Sequence, residues 1–407
     1  MPRTPSKKRK NLRKPPRSAR STKRHHVLTT HVGSLIRPPE LQQFLKVQRD
    51  KQPYDEAAFE TCLHNAVADV VCEQAEIGLD VINDGEYGKT ISWSRYVLER
   101  MSGFEQRDRP AQAGMPAAVA GRDRREFAEF YAGYDRHQGF TGMTGWALTG
   151  PIHYTGQAAI QRDIKNFKAA AKGVQTADLF MAAVAPASVA PDRLDEYYKS
   201  DEEFVFAVAE ALREEYKAIV DAGLILQVDD AYLALTYEVM VPPKTMKDYR
   251  KWAAVRIEAL NHALRGLPEE RTRYHVCWGS WNGPHAYDVE LKDIVDLILK
   301  VRTGGYLLEM ANPRHEHEWH VWEKVKLPKG RKLIPGVISH ATNVVEHPEL
   351  VAERLVRLGK LVGPNNLMAG TDCGFAQGPF VQRVHPSIMW AKLRSLVDGA
   401  RLASKQL

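Results

Sequence analysis

The chain has 407 residues, 44% of them hydrophobic and 9% aromatic, enough for one large core or two ordinary ones. No apolar run approaches the ~18 residues a membrane span needs, and four scattered cysteines exclude a disulfide scaffold, so a soluble, cytoplasmic protein is expected. The net charge of +7 is concentrated in residues 1–25, whose eleven Lys/Arg and no acid leave 46 basic against 50 acidic residues for the rest.

Residues 1–25 read as a basic tail, disordered by composition and without the apolar centre of a secretory signal. The KKRK run at 7–10 suits a nuclear address or a nucleic-acid arm, and a misassigned translation start gives the same composition. From His26 the chain alternates strand-like and helix-like segments. HVLTTHVGS (26–34) is the first strand candidate, followed by the helix DEAAFETCLHNAVADVVCEQAE (55–76). There Cys62 and Cys72 share a stripe with Phe59, Val70 and Val71, which predicts core packing for both thiols. LDVINDGE (79–86) is the second strand, and 105–175, with WALTGP at 146–151, reads as an insertion or elaborated loop after it. Then come DLFMAAVAP (178–186), LILQVDD (224–230), YHVCWG (274–279), GYLLEMANP (305–313), KLIPGVIS (332–339) and NLMAGTDCG (366–374). Helical periodicity is clearest at 202–223 and 347–363. Eight strands in alternation with helices predict an α/β fold, a single (β/α)8 TIM barrel over 26–407, with a doubly wound sheet as the alternative.

Each strand stays apolar until its last positions and then turns polar: Ser34, Asp84 and Glu86, Asp229 and Asp230, His275 and Cys277, Glu309, Asp372 and Cys373. In a barrel these ends share one face, where active sites are built. Polar strand ends are common and account for Ser34 and some of the carboxylates. They do not account for a histidine with two cysteines, because cysteine is mostly a buried small hydrophobe. His275 and Cys277, two apart on a strand, point the same way. Thiolates with imidazole and one carboxylate select zinc. Ligands 32 and 64 positions apart are not a zinc-finger spacing, so the whole fold would assemble the site.

The segments HVGSL (31–35), VINDGEYGK (81–89), LQVDD (226–230), HVCW (275–278), LLEMA (307–311), PGVIS (335–339) and GTDCGF (370–375) resemble the cobalamin-independent methionine synthase family, in its catalytic C-terminal barrel. The resemblance implies zinc held by His275, Cys277, Glu309 and Cys373; of these Glu309 is expected to be the labile ligand, because a carboxylate is the hardest and least well matched of the four. It implies that Gly33 and Ser34 hold the amino-acid carboxylate and that Asp230 meets the ammonium, with Glu86 also substrate-binding. His340, one position early against the family's proton-donating histidine, and Asp372, beside a zinc ligand, complete the implied catalytic set. The family usually has two barrels, and this chain has room for one. ANPRHEHEWHVWE (311–323) has no counterpart there, and His315, His317 and His320 are expected on a solvated helix start, with a second polar cluster as the alternative. These departures resemble the short branch of the family that includes epoxyalkane:coenzyme M transferase. Arg37 and Arg314 suit either a folate tail or a sulfonate.

The expected function is therefore zinc-dependent S-alkylation of a small-molecule thiol. Homocysteine methylated by a methyltetrahydrofolate-type donor is the leading version, and epoxide opening by coenzyme M the alternative. A metal-free, uroporphyrinogen-decarboxylase-like enzyme would share the barrel but leave His275, Cys277 and Cys373 unexplained. A nucleic-acid partner would rest on the tail alone.

Overall fold

Seven short apolar runs become strands of one parallel sheet whose order follows the chain: β1 (Val81–Ile82), β2 (Asp178–Val184), β3 (Ile225–Asp230), β4 (Thr272–Val276), β5 (Gly305–Leu308), β6 (Lys332–Ile338) and β7 (Gly370–Thr371). This is a computed structural model, and it describes residues 26–107, 120–138 and 145–407. The basic tail, 1–25, lies outside the described residues. Among those residues no helix is long and apolar enough to cross a membrane.

The sheet is curled, because both of its edges meet the same segment. Val81 N donates to the Thr29 carbonyl at 3.0 Å, Thr30 N to the Ala369 carbonyl at 2.8 Å, and Ala369 N to the Leu28 carbonyl at 2.8 Å. Residues 28–30 thus bridge β1 to the approach to β7, the arrangement of a TIM-like barrel. The strand expected at 26–34 is only an isolated bridge at Thr29, and those expected at 79–86 and 366–374 are two residues long.

Alternation decides what the sheet encloses. Val32, Val81, Phe180, Leu307, Ile334 and Met368 form a small apolar cluster of their own, with the Arg273 guanidinium 3.7 Å from the centre of the Phe180 ring. On β4, Arg273 and His275 share one face, while Tyr274 and Val276 join the larger outer core. The inner face thus runs from apolar to polar along the strands.

Outside lie helices with apolar stripes. Asp201–Asp221 starts on a Ser200 cap (Oγ accepts from Glu203 N at 3.1 Å), has three acids in its first turn, and buries Phe204, Val208, Leu212, Tyr216 and Ile219. Pro348–Val362 packs on Pro386–Ser404, where a Cβ on Gly399 would collide with Val351. Glu56–Glu76 buries Phe59, Leu63, Ala66, Val67, Val70 and Val71. Of its cysteines, Cys62 is half-buried and packs against the core as expected, but Cys72 is exposed and corrects the expectation. Cys72 sits two residues, about 200° of turn, beyond Val70, and so leaves the buried stripe.

The supposed insertion is also shorter than expected. Gln157–Ala170 is an outer helix packed on Glu56–Glu76, with Ile160, Ile164 and Phe167 buried. Phe104–Arg107 pairs antiparallel with Gly145–Leu148, which runs parallel to Leu194–Asp195 in a separate three-stranded sheet. Two short helices, Arg122–Glu126 and Ala128–Gln138, complete this region. Residues 108–119 and 139–144 of the segment lie outside the described residues.

Candidate metal centre

β4 delivers His275, and the extended residue after it delivers Cys277, whose N–H continues the ladder to the Asp230 carbonyl at 3.0 Å. Cys373 follows β7 by two residues. Ligand atoms of the three lie within 4.8 Å of one another, all buried, with the two sulfurs 3.4 Å apart. The Cys277 sulfur accepts from Gly279 N at 3.2 Å. Gly279 has φ +103°, and a Cβ there would strike the Trp281 ring, so only glycine permits this turn. Cys373 and burial together push the Cys277 thiol well above its ordinary pKa.

His275 lies between two acceptors, the Asp229 carboxylate at 3.1 Å from Nδ1 and the Asp372 carbonyl at 3.2 Å from Nε2. Burial opposes charging of the ring, but the Asp229 hydrogen bond and charge lift it to about 9. With Nδ1–H given to Asp229, Nε2 confronts a carbonyl oxygen and requires a second proton or a cation. A buried imidazole so placed, beside two thiols, fits a soft divalent metal such as zinc.

Glu309 is buried but outside this trio: its Oε1 accepts from Trp278 N at 3.0 Å, and Oε2 lies 3.5 Å from Asn312 Nδ2. Asp372 accepts from Met310 N and Ala311 N, both at 2.8 Å, so it ties the backbone after Glu309 to the backbone before Cys373. Its other carboxylate oxygen is buried without a partner.

Gly33, Ser34 and Glu86 are brought together beside Cys373. A Cβ on Gly33 (φ +140°) would lie 2.5 Å from Glu86 Oε1, and one on Gly374 would collide with Ser34 Oγ. Glu86, itself left-handed at φ +61°, receives Lys89 Nζ at 2.8 Å. Burial raises its carboxyl to about 7, with Lys89 pulling down and Asp229 pushing up. Asp230 is different. Its Oδ1 accepts from Ser188 Oγ at 2.8 Å and Leu233 N at 3.1 Å, and its Oδ2 from Tyr274 OH at 2.8 Å. Both oxygens are engaged where the helix Tyr232–Met240 begins. Asp229 is the acid facing inward, its Oδ1 also accepting from Gln227 Nε2 at 2.7 Å. Asp229 is thus a site residue that the sequence alone does not distinguish from Asp230, because the partner strand decides which of the two faces inward.

His340 is buried with both ring nitrogens unpartnered, and burial, helped by the charges of Arg383, His285 and His275, lowers it to about 3. Arg37 is buried and donates to the Glu86 and Lys89 carbonyls at 2.6 and 3.0 Å, whereas Arg314 is exposed and donates to the Ala286 carbonyl. His317 and His320 are exposed, as a solvated helix start implies, but His315 is buried between two carboxylates.

A family model described as "Cobalamin-independent synthase, Catalytic domain" matches residues 187–400. A methionine synthase of Sulfolobus acidocaldarius is 26% identical over 385 residues, covering 93% of either chain. A 2-hydroxypropyl-CoM lyase of Xanthobacter autotrophicus is 24% identical over 397 residues, covering 90% of this chain and 91% of that one. Among solved structures, a B12-independent methionine synthase from Shewanella sp. W3-18-1, in complex with selenomethionine, has a TM-score of 0.69 at 21% identity. The match covers 94% of this chain and 98% of that one, and shows a common fold.

Proposed function

The chain belongs to the cobalamin-independent synthase family, and on that premise we propose that it is a zinc-dependent thiol S-alkyltransferase, methylating homocysteine from a methyltetrahydrofolate-type donor. We read residues 28–30 as the eighth stave of a (β/α)8 barrel. The observation that carries the reading is the buried trio of His275, Cys277 and Cys373 at one end of the curled sheet. Zinc bound there would hold a substrate thiol, with an ordinary pKa of roughly 8 to 9, as a thiolate near neutral pH.

The rest of the work belongs to the chain's own groups. His275 and the two cysteines would hold the metal, and Asp229 orients His275 through its Nδ1. Glu309 would be the fourth, exchangeable ligand, and the Trp278 N–H and the Asn312 amide hold its carboxylate beside the trio. Gly33 and Ser34 receive the amino-acid carboxylate. Glu86 and Asp229 face the ammonium, taking the role the resemblance gave to Asp230, whose oxygens are already spent on protein donors. His340, neutral and with both nitrogens uncommitted, relays a proton to the donor's leaving nitrogen, giving up its ring N–H as its other nitrogen takes a proton from water, so that the ring is neutral before and after.

A second reading, epoxide opening by a sulfonate-bearing thiol, is supported by the likeness to the CoM lyase. Inward carboxylates at Glu86 and Asp229 argue against it, since they would repel a sulfonate and attract an ammonium. The test is a panel of homocysteine, coenzyme M, glutathione and cysteine, with methyltetrahydrofolate or epoxypropane, and mass spectrometry of the products. Methionine should form from homocysteine. Alkylated coenzyme M with no reaction of homocysteine would replace the leading substrate by the second reading.

A further inference from the structure

Four buried ionisable groups lie next to this site without belonging to it. His285 donates from Nδ1 to Asp288 Oδ2 at 2.9 Å and from Nε2 to the Trp281 carbonyl at 3.1 Å. His315 donates from Nε2 to the same Asp288 Oδ2 at 3.0 Å and from Nδ1 to Glu318 Oε2 at 2.9 Å. Every ring nitrogen faces an acceptor, so both rings are imidazolium, and two cations alternate with two carboxylates in one self-neutralising row. Burial opposes the charging, but the carboxylates outweigh it and lift His285 to about 9 and His315 to about 10.

The row joins the two loops that leave β4 and β5. His285 and Asp288 belong to the loop that begins at Cys277, and His315 and Glu318 to the loop that begins at Glu309. Each imidazolium also lies against an indole, His285 at 4.3 Å from Trp281 and His315 at 4.7 Å from Trp278. Trp278 is pinned further by Nε1–H to the Val289 carbonyl at 2.7 Å, and its backbone N–H holds Glu309. Glu318 uses its remaining oxygen on Leu291 N at 2.5 Å, fixing the far end of the first loop. His285 is held at φ +51°, a backbone cost that a merely solvated loop would shed.

We propose that His315, with His285, Asp288 and Glu318, is a positioning device for the metal site, setting where the Glu309 carboxylate stands by clamping the β4 loop to the β5 loop through Trp278, whose N–H holds it. The inference rests on the zinc reading given above. It predicts that the row acts on metal affinity by way of Glu309 and not only on stability.

The test is a double-mutant cycle on zinc affinity, measured by competition with a chromogenic chelator in His315→Gln, Glu309→Gln and the double variant. His315→Gln should weaken zinc binding by roughly tenfold alone, the scale of groups that orient metal ligands, and by less than about twofold in the Glu309→Gln background. Leu393→Ala, on the far helix Pro386–Ser404, supplies a buried substitution that should lower the melting temperature without moving zinc affinity. Equal losses in both backgrounds, or no loss from His315→Gln, would overturn the proposal. If His315→Gln does not fold, Glu318→Gln, which keeps an acceptor at His315 Nδ1 but removes a charge, takes its place in the cycle with the same two outcomes. A wild-type chain that binds no zinc would instead remove the zinc reading, a result distinct from a zinc-holding protein with an additive cycle.

Discussion

Asp229 and Asp230 are neighbours in sequence, yet they serve opposite sides of β3. Asp229 lies beside His275 in register and bonds it across the strand pair, whereas Asp230 closes on Ser188, Tyr274 and Leu233. Asp229→Asn should therefore weaken zinc binding by roughly 10–100-fold with little change in melting temperature. Asp230→Asn should cost about 1–3 kcal/mol of stability with zinc affinity nearly intact, because it disturbs a satisfied buried cluster. Chelator competition and thermal melts separate the two, and equal zinc loss in both would defeat the parity argument. Cys277→Ser and Cys373→Ser should each lose most of the ~1 zinc per chain expected of such a site. Cys62→Ser and Cys72→Ser should lose none, as elemental analysis would register. The sequence disclosed the trio because His275 and Cys277 are two apart on a strand and Cys373 ends another. It could not separate Asp229 from Asp230 without the partner strand, since both are acids at one strand end and only pairing tells which faces inward.

At the level of elements, the middle strands were legible and the seam was not. β2, β3, β4 and β6 are five to seven residues long and fall where apolar runs predicted them. At the seam, 26–34, 79–86 and 366–374 turn away after a few residues, because the same segments must aim Ser34, Glu86 and Cys373 at the site. Local composition reports the apolar run but not the point where the chain bends. What holds the seam is Asp80, whose Oδ2 accepts from both Thr29 N and Thr29 Oγ1 at 2.8 Å. Asp80→Ala leaves the buried Thr29 N–H and hydroxyl without that acceptor and should cost about 1–3 kcal/mol. Hydrogen exchange should quicken at the Val81 and Ala369 amides, which pair with this segment, and not at β4 amides. Uniform acceleration across the sheet would mean that the seam does not open by itself. The helix Gln157–Ala170 was missed for a related reason, since its stripe of Ile160, Ile164 and Phe167 was absorbed into a long segment read as one insertion.

Across the whole molecule, the buried histidines among the described residues divide by partner, a property that only the tertiary fold assigns. His275, His285 and His315 meet carboxylates and are raised, whereas His31 meets the neutral Gln74 amide at 2.7 Å and His340 meets nothing. Burial, with the charge of Arg273 adding to it and Gln74 partly offsetting it, takes His31 from 6.5 to about 4. The consequences for stability have opposite signs. The unfolded chain protonates His31 at higher pH than the folded one, so wild type should lose stability relative to His31→Gln as pH falls from 6.5 toward about 4. For His315 the folded protein holds the proton more tightly, so its contribution is complete below about 6.5 and is lost as pH rises through about 10. Melting temperatures of wild type, His31→Gln and His315→Gln across both windows give the two differences, with titrating groups remote from each substitution cancelling and the His315 difference including its row partners Asp288, Glu318 and His285. The gap to His315→Gln should narrow with rising pH, and the gap to His31→Gln should move against wild type with falling pH. Parallel curves in the upper window would mean that His315 does not hold its proton between Asp288 and Glu318, and parallel curves in the lower one would mean that His31 is not kept neutral beneath the site.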